Sequence, residues 1–180
     1  IWTYSLDAIW AGLQDAYAQM AADVKKQYDV EVEKLAGLGF SAMMHGYMVF
    51  DAERTLLVPF RTWRNTITEE ASEKLTKLLS YHIPQRWSIA HLYQAMLNGE
   101  EHVKNIAFQT TLAGYIHWKL TGEKVLGIGE ASGMFPIDCE AKDWDEKRVK
   151  IFDEEAKKKG YSFTLHDIFP KVLVAGEQAG

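Results

Sequence analysis

Cysteine, proline, excess basic charge and long apolar runs are all scarce in this sequence of 180 residues. The single cysteine, Cys139, excludes an intrachain disulfide and a cysteine-rich zinc site, and it favours a reducing compartment, so we expect a cytoplasmic protein. The 20 Lys and Arg residues against 25 Asp and Glu leave a formal net charge of −5, which argues against a nucleic-acid partner. No apolar run approaches the ~20 residues that cross a bilayer, so we expect no membrane partner.

Hydrophobic residues make up 47% of the chain, which is enough for the core of one domain. We find no internal repeat, low-complexity segment or interdomain linker, so residues 1–180 are predicted to belong to a single domain. The chain starts at Ile1 rather than Met, and it stops at Gly180 without a capped helix or a completed strand. These ends lead us to expect one partial domain cut from a longer protein.

Apolar residues recur every three or four positions in five segments, which predicts five helices. The clearest helix runs from Leu6 to about Tyr28, with Ser5 as its N-cap. The other four are predicted to start at Thr68, Ser88, Thr110, and Asp143 or Asp145.

Short extended segments are predicted between these helices. Ala36–Met43 is interpreted as a buried strand, and Tyr47–Phe50 as a second strand whose antiparallel partner is Thr55–Val58. Val125–Phe135 is interrupted by glycine and predicted to be extended. The alternation of helices and short strands predicts an α/β fold.

Four segments also occur in the order and spacing of one known family. They are Gly39–Gly46 followed by Phe50-Asp51, Pro59–Thr66, Leu120–Glu123 leading into Glu130–Gly133, and Asp143–Asp145 with Phe169–Val172. Together they resemble the amino-terminal domain of the FGGY family of carbohydrate kinases, in its xylulokinase-like branch. Each segment alone is weak, but the joint match covers nearly the whole chain.

The resemblance implies a ribonuclease-H-like (actin-like ATPase) domain, with a mixed sheet and flanking helices. It implies an enzyme that uses ATP and Mg²⁺ to phosphorylate a hydroxyl of a sugar or polyol, with a xylulose-like substrate favoured. The family's Asp-x-Gly-Thr phosphate hairpin would lie before Ile1, and the catalytic base, the adenosine pocket and the carboxyl-terminal kinase domain after Gly180. The 180-residue chain is then expected to be inactive alone and to form the sugar-binding wall of the cleft.

The same resemblance implies which residues contact the sugar. The family's Met-His pair corresponds to Met44 and His45, and Gly46 permits the chain to bend beside them. An imidazole can both donate and accept hydrogen bonds, which suits a hydroxyl-rich ligand. The alternative is that His45 satisfies turn amides while Met44 fills core space.

Three further residues are candidates for the same wall. Trp63 and Asn65 lie where many relatives have a Trp-Asn-Asp segment, so an indole face and an amide are expected against the sugar, although Arg64 and Thr66 depart from that pattern. Packing of the loop by Trp63, with Asn65 capping the turn that follows, is an equal alternative. Arg86 is a candidate reader of a substrate hydroxyl or carboxylate, or else a solvated arginine.

No metal site is predicted in this chain. The remaining histidines show neither an i, i+4 pair nor a nearby cysteine couple; they are His82, His91, His102, His117 and His166. Glu130 is left without a catalytic role, because the small residues around it also suit close backbone packing. Two non-enzymatic alternatives stay open: a sugar-binding or scaffold protein derived from the kinase fold, and a packing domain whose apolar face binds another protein, a homodimer included.

Overall fold

The computed structural model describes residues 1–180, and its longest element is the amino-terminal helix. Helix α1 spans Leu6–Tyr28, as predicted. Ser5 caps it, because its hydroxyl accepts a hydrogen bond from the amide of Ala8 at 3.1 Å. No residue of α1 is fully buried, since only one face, including Ile9 and Trp10, packs against the rest of the chain.

The strands form three two-stranded sheets. Strands β1 (Met48–Phe50) and β2 (Phe108–Thr110) pair antiparallel, β3 (Val125–Gly127) and β6 (Lys171–Leu173) pair parallel, and β4 (Ile137–Asp138) and β5 (Asp143–Trp144) pair antiparallel. In the first pair Val49 lies opposite Gln109. Parallel and antiparallel pairs among helices confirm the predicted mixed α/β class, although the strands are distributed over separate sheets.

The other four predicted helices are also present. They are α2 (Glu69–Leu79), α3 (Ser88–Leu97), α4 (Leu112–Thr121) and α6 (Glu146–Lys158), and two single-turn helices, α5 (Ile128–Ala131) and α7 (Leu165–Ile168), join them. Gly122 ends α4 in the left-handed conformation, with φ of 86°. Asp145 caps α6 by accepting a hydrogen bond from the amide of Arg148 at 3.0 Å. None of the helices is both long and apolar enough to cross a membrane.

The predicted extended segments are partly wrong. Residues 36–43 form no strand and are mostly exposed, because no other strand runs beside them to pair with their backbone groups. The segment from Val125 is extended only through Gly127 and then turns into α5. Residues 55–58 do return antiparallel beside β1, through a bridge between Phe50 and Leu56 and a 2.9 Å hydrogen bond from the amide of Leu57 to the carbonyl of Val49, but they form no regular strand. The strand that pairs with β1 over its whole length is β2.

Strand β1 separates the two hydrophobic clusters of the core. Tyr47 and Val49 belong to a cluster of 26 buried residues, whereas Met48 and Phe50 belong to a second cluster of 8. This division follows from the alternation of side chains along a strand, which buries both faces of β1. The chain immediately before β1 is therefore attached to a rigid element.

Candidate functional site

Residues Met44–Gly46 form a bend directly before β1, and we call them the His45 bend. Gly46 has φ of +112°, and a Cβ atom there would lie 2.7 Å from the carbonyl oxygen of Arg61, so only glycine fits this position. The amide of Gly46 donates to the carbonyl of Arg86 at 3.3 Å. The following residue, Tyr47, exchanges two backbone hydrogen bonds with Arg61, of 2.8 and 3.2 Å. These contacts determine the direction in which the bend leaves the core.

His45 itself is half-buried, and one of its ring nitrogens has a partner. Nδ1 lies 3.1 Å from the carbonyl oxygen of Gly133. A carbonyl oxygen can only accept, so Nδ1 carries the proton and Nε2 keeps its lone pair. Burial lowers the pKa of His45, the bond to Gly133 opposes that shift, and the cation of Arg86 lowers the pKa further. His45 is therefore a neutral imidazole at pH 7, with Nε2 able to accept a hydrogen bond from a hydroxyl group.

Gly133 brings the predicted 130–133 segment directly against this histidine. A Cβ atom at Gly133 would lie 2.6 Å from Nδ1 of His45 and 2.7 Å from the carbonyl oxygen of Met44. Both contacts are too short for any side chain, so glycine permits the close approach. The two segments are 88 residues apart in sequence, and no local pattern could have paired them.

Trp63 lies at the same end of the β1 region as His45. The bridge between Tyr47 and Arg61 is antiparallel, so His45 and Trp63 each stand two residues from it on the same side. The Trp63 side chain is 46% exposed, and the guanidinium carbon of Arg64 lies 5.4 Å from its ring centroid. The indole therefore provides an accessible flat surface.

The amide of Asn65 is used within the chain. Its Oδ1 accepts from the amide of Trp2 at 2.9 Å, and its Nδ2 donates to the carbonyls of Trp2 and Thr62, both at 2.9 Å. Asn65 is 4% exposed, which agrees with a packing role, although its partners are Trp2 and Thr62 rather than the turn that follows it. Any contact of Asn65 with a ligand would compete with these three bonds.

Arg86 differs from Asn65 because its side chain is free. The residue is exposed, and its guanidinium takes part in none of the hydrogen bonds or ion pairs of the chain. Its backbone carbonyl accepts a hydrogen bond from the amide of Gly46, and its positive charge lowers the pKa of His45. The structure thus brings Met44, His45, Gly46 and Arg86 together, with five unused donors on Arg86.

A separate cleft of about 420 Å³ lies at the carboxyl ends of the parallel strands β3 and β6. It is mostly apolar, and none of the six candidate sugar-binding residues lines it. Glu130 lies at its edge, where burial raises the pKa of the carboxyl while a 2.7 Å hydrogen bond from the Thr111 hydroxyl opposes the shift. The sequence analysis missed this cleft, although glycines at the carboxyl end of a strand, here Gly127 and Gly129, are a signal for such a position.

The site offers neutral hydrogen-bonding groups, an indole face and one free cation. No three His, Cys, Asp or Glu side chains lie together in the chain in a way that could hold a metal ion. The only cysteine, Cys139, is exposed. The arrangement can bind hydroxyl groups, but it places no carboxylate at the His45 bend that could take a proton from a reacting hydroxyl.

Comparison with known proteins gives matches over nearly the whole chain. Residues 3–180 match the family model for the FGGY family of carbohydrate kinases, N-terminal domain. The structure is similar to a xyloylose kinase from Brucella ovis, with a TM-score of 0.72 and 19% identity over 94% of this chain and 35% of that one. It is also similar to xylulose kinase from Bifidobacterium adolescentis, with a TM-score of 0.67 and 13% identity over 95% of this chain and 40% of that one. A third similar structure is gluconate kinase from Lactobacillus acidophilus, with a TM-score of 0.65 and 17% identity over 88% of this chain and 32% of that one. The likeness confirms the ribonuclease-H-like fold, and the chain spans about a third of the length of these proteins.

Proposed function

The chain belongs to the FGGY family of carbohydrate kinases, and from this premise we propose that it forms the sugar-binding wall of an ATP-dependent kinase. The complete enzyme transfers the γ-phosphoryl group of ATP to a hydroxyl of a sugar or polyol. Residues 1–180 are one partial domain, and a carboxyl-terminal kinase domain completes the cleft. A partial domain of this kind is supported by the length of the chain, which covers 35% of the similar kinase from Brucella ovis.

The single observation that carries this proposal is the state of His45. Its Nδ1 proton is donated to the carbonyl of Gly133, so Nε2 is left as a neutral acceptor for a ligand. Arg86, beside it, supplies donors without needing a partner in the chain. A hydroxyl group needs such an acceptor and such a donor, because it both gives and takes a hydrogen bond.

Trp63 extends the wall with an apolar surface. The C–H face of a sugar packs against an indole in a defined orientation, whereas its hydroxyls turn toward polar groups. Met44 adds an adaptable apolar contact next to His45. Asn65 contributes through the backbone of Trp2 and Thr62, which its amide holds in place. Together these residues orient one hydroxyl for in-line attack, which is the main requirement of phosphoryl transfer.

The other components of the reaction come from outside these residues. Phosphoryl transfer needs a metal ion with ATP and a carboxylate that accepts the hydroxyl proton. The residues of this chain do not fit a resident metal site, since no group of three metal-ligating side chains is formed. We assign ATP, Mg²⁺ and the catalytic base to the rest of the complete kinase, and no catalytic residue to this chain.

A xylulose-like ketose is the substrate that we favour. The Met44–His45 pair matches the xylulokinase-like branch, and two of the similar structures are described as xylulose or xyloylose kinases. Gluconate kinase has the same fold, so sugar acids are the main competitors. A panel of pentuloses, pentoses, polyols and hexonates distinguishes these classes directly.

The test uses the full-length protein and measures sugar-stimulated release of ADP over that panel. Replacing His45 by Ala should weaken sugar affinity by about 1–3 kcal/mol, because a polar contact is lost, and should leave ATP affinity unchanged. His82→Ala is the matched control, because His82 is exposed. Absence of sugar-stimulated ADP release rejects the kinase. Sugar binding that depends on His45 but occurs without ADP release identifies the non-catalytic sugar-binding protein instead.

A further inference from the structure

A partly buried ion pair lies beside the residues that anchor the His45 bend, and the proposed function does not use it. Arg61 is only 8% exposed. Its Nη1 donates to Oε1 of Glu100 at 3.1 Å, and its Nη2 donates to Oε2 of the same carboxylate. This two-bond geometry is the strong form of an arginine–carboxylate contact. Without Glu100, Arg61 would be a buried cation without a counter-charge, which is costly.

Glu100 is also linked to Tyr47, through the side chain of His102. Its carboxylate lies 3.5 Å from Nδ1 of His102, and Nε2 of His102 lies 2.9 Å from the hydroxyl of Tyr47. Burial lowers the pKa of His102, which Glu100 opposes, and burial raises the pKa of Tyr47. A neutral imidazole therefore meets a neutral phenol, and the two share one hydrogen bond. The carboxylate is thus linked to both Arg61 and Tyr47.

Arg61 and Tyr47 are the two residues that anchor the His45 bend. They exchange backbone hydrogen bonds, and the guanidinium carbon of Arg61 lies 5.4 Å from the Tyr47 ring centroid. The carbonyl oxygen of Arg61 would also lie only 2.7 Å from a Cβ atom at Gly46, so the two segments are in close contact. Because these contacts are close-packed, a displacement of Arg61 would also displace the His45 bend.

We infer that Glu100 is a positioning residue for the sugar site, which acts by holding Arg61 and Tyr47 and through them the His45 bend. It touches none of the six candidate sugar-binding side chains. The inference rests on the proposed function, because it is the position of His45 that Glu100 controls. It also explains why a charged pair occupies the interior at this point, where apolar residues of similar size would cost less to bury.

A purely structural role for Glu100 makes a different prediction. Loss of a stabilising ion pair would lower the melting temperature and the amount of folded enzyme, but the folded molecules would bind sugar normally. A positioning role changes the sugar KM of the folded enzyme. ATP binding is proposed to involve other parts of the kinase, so the KM for ATP serves as an internal reference.

The experiment measures both KM values in the full-length protein, with the most active sugar of the panel above. Glu100→Ala should raise the sugar KM by about tenfold, since a small displacement of a binding group strongly weakens binding. It should change the ATP KM by less than about twofold. Glu100→Gln, which keeps a hydrogen-bonding head of the same shape, should recover part of the loss. Glu101→Ala is the matched control, because Glu101 is the exposed next residue and pairs with nothing.

A double variant covers the case in which Glu100→Ala does not fold. Arg61→Met with Glu100→Leu removes both charges at once, which buried pairs often tolerate, and it should still raise the sugar KM. A wild-type sugar KM in folded Glu100 variants overturns the inference, and so does an equal rise in both KM values. If the wild type shows no sugar-stimulated ADP release, or if His45→Ala leaves the sugar KM unchanged, the proposed function has failed instead.

Discussion

Helices α1 and α3 have equally regular apolar spacing, yet they differ completely in burial. In α3, nine of the ten residues are buried, whereas none of the 23 residues of α1 is. Helix α3 packs against α2, and it also contacts β2, where Nε2 of Gln109 donates to the carbonyl of Ser88 at 3.1 Å. Helix α1 has one supported face, with Nε1 of Trp10 donating to the Tyr115 hydroxyl at 3.0 Å.

The contrast teaches that periodicity indicates a helix but not how many neighbours cover it. An apolar stripe needs one partner surface, and any further burial depends on elements that are distant in sequence. Residues 29–43, which follow α1, are likewise poorly covered by the rest of the chain, because they include exposed apolar side chains at Val30, Leu35 and Leu38. The well-covered part of the chain is the part that holds the His45 bend.

The largest difference is expected for leucine or methionine truncation in the two helices. Leu92→Ala in α3 removes a fully buried side chain and should lower the free energy of unfolding by about 2–5 kcal/mol. Met20→Ala in α1, at a side chain that is 40% exposed, should change it by less than about 0.5 kcal/mol. Urea unfolding of both variants measures the two values. A loss at Met20 as large as that at Leu92 would contradict the difference in burial.

The next effect is expected from His91, which is 0% exposed and whose two ring nitrogens have no hydrogen-bond partner. Burial, aided by the nearby cation of Arg61, lowers its pKa from 6.5 to about 3. Between these values the unfolded chain binds a proton that the folded chain does not, so stability falls as the pH drops below 6.5. From pH 7 to pH 5 this group should cost up to about 2 kcal/mol.

His91→Phe should remove the His91 contribution, because phenylalanine cannot bind a proton, and leave the smaller contributions of His45 and His102, whose pKa values burial also lowers. Phenylalanine keeps a ring beside Tyr47, which stacks on His91 at 6.2 Å between centroids. Chemical unfolding at pH 7 and pH 5 compares the variant with the wild type. The exposed His82→Phe is the control and should keep the wild-type dependence. An identical loss of stability in wild type and His91→Phe would show that His91 accepts its proton in the folded state.

The last comparison concerns one glycine in the largely buried helix α4 and one in the exposed helix α1. A Cβ atom at Gly114 in α4 would lie 2.2 Å from Oγ1 of Thr110 and 2.6 Å from Cδ2 of Leu126, so Gly114→Ala should destabilise by about 1–3 kcal/mol. A Cβ atom at Gly12 in α1 would have no atom within 4 Å, so Gly12→Ala should stabilise by about 0.5–1 kcal/mol. Thermal unfolding gives the sign of each change, and equal signs would contradict the packing difference.

The helices and their ends were predictable because they depend on nearby residues. Ser5, Asp145 and Gly122 satisfy the end groups of helices through atoms a few residues away, and the apolar spacing needs no knowledge of the partner. The positions of the short strands were less predictable, since a strand exists only if another chain segment pairs with it. The strand expected at residues 36–43 fails for this reason.

The candidate site was predictable only as a set of residue types. The sequence by itself determined the helices, the resemblance to a kinase family, and the presence of a Met-His pair before an apolar strand. Only the tertiary structure decided that Gly133 sets the tautomer of His45, that Asn65 is occupied by the backbone, and that Glu100 holds Arg61. These contacts join segments 39 to 88 residues apart, and no local periodicity encodes a distance of that kind.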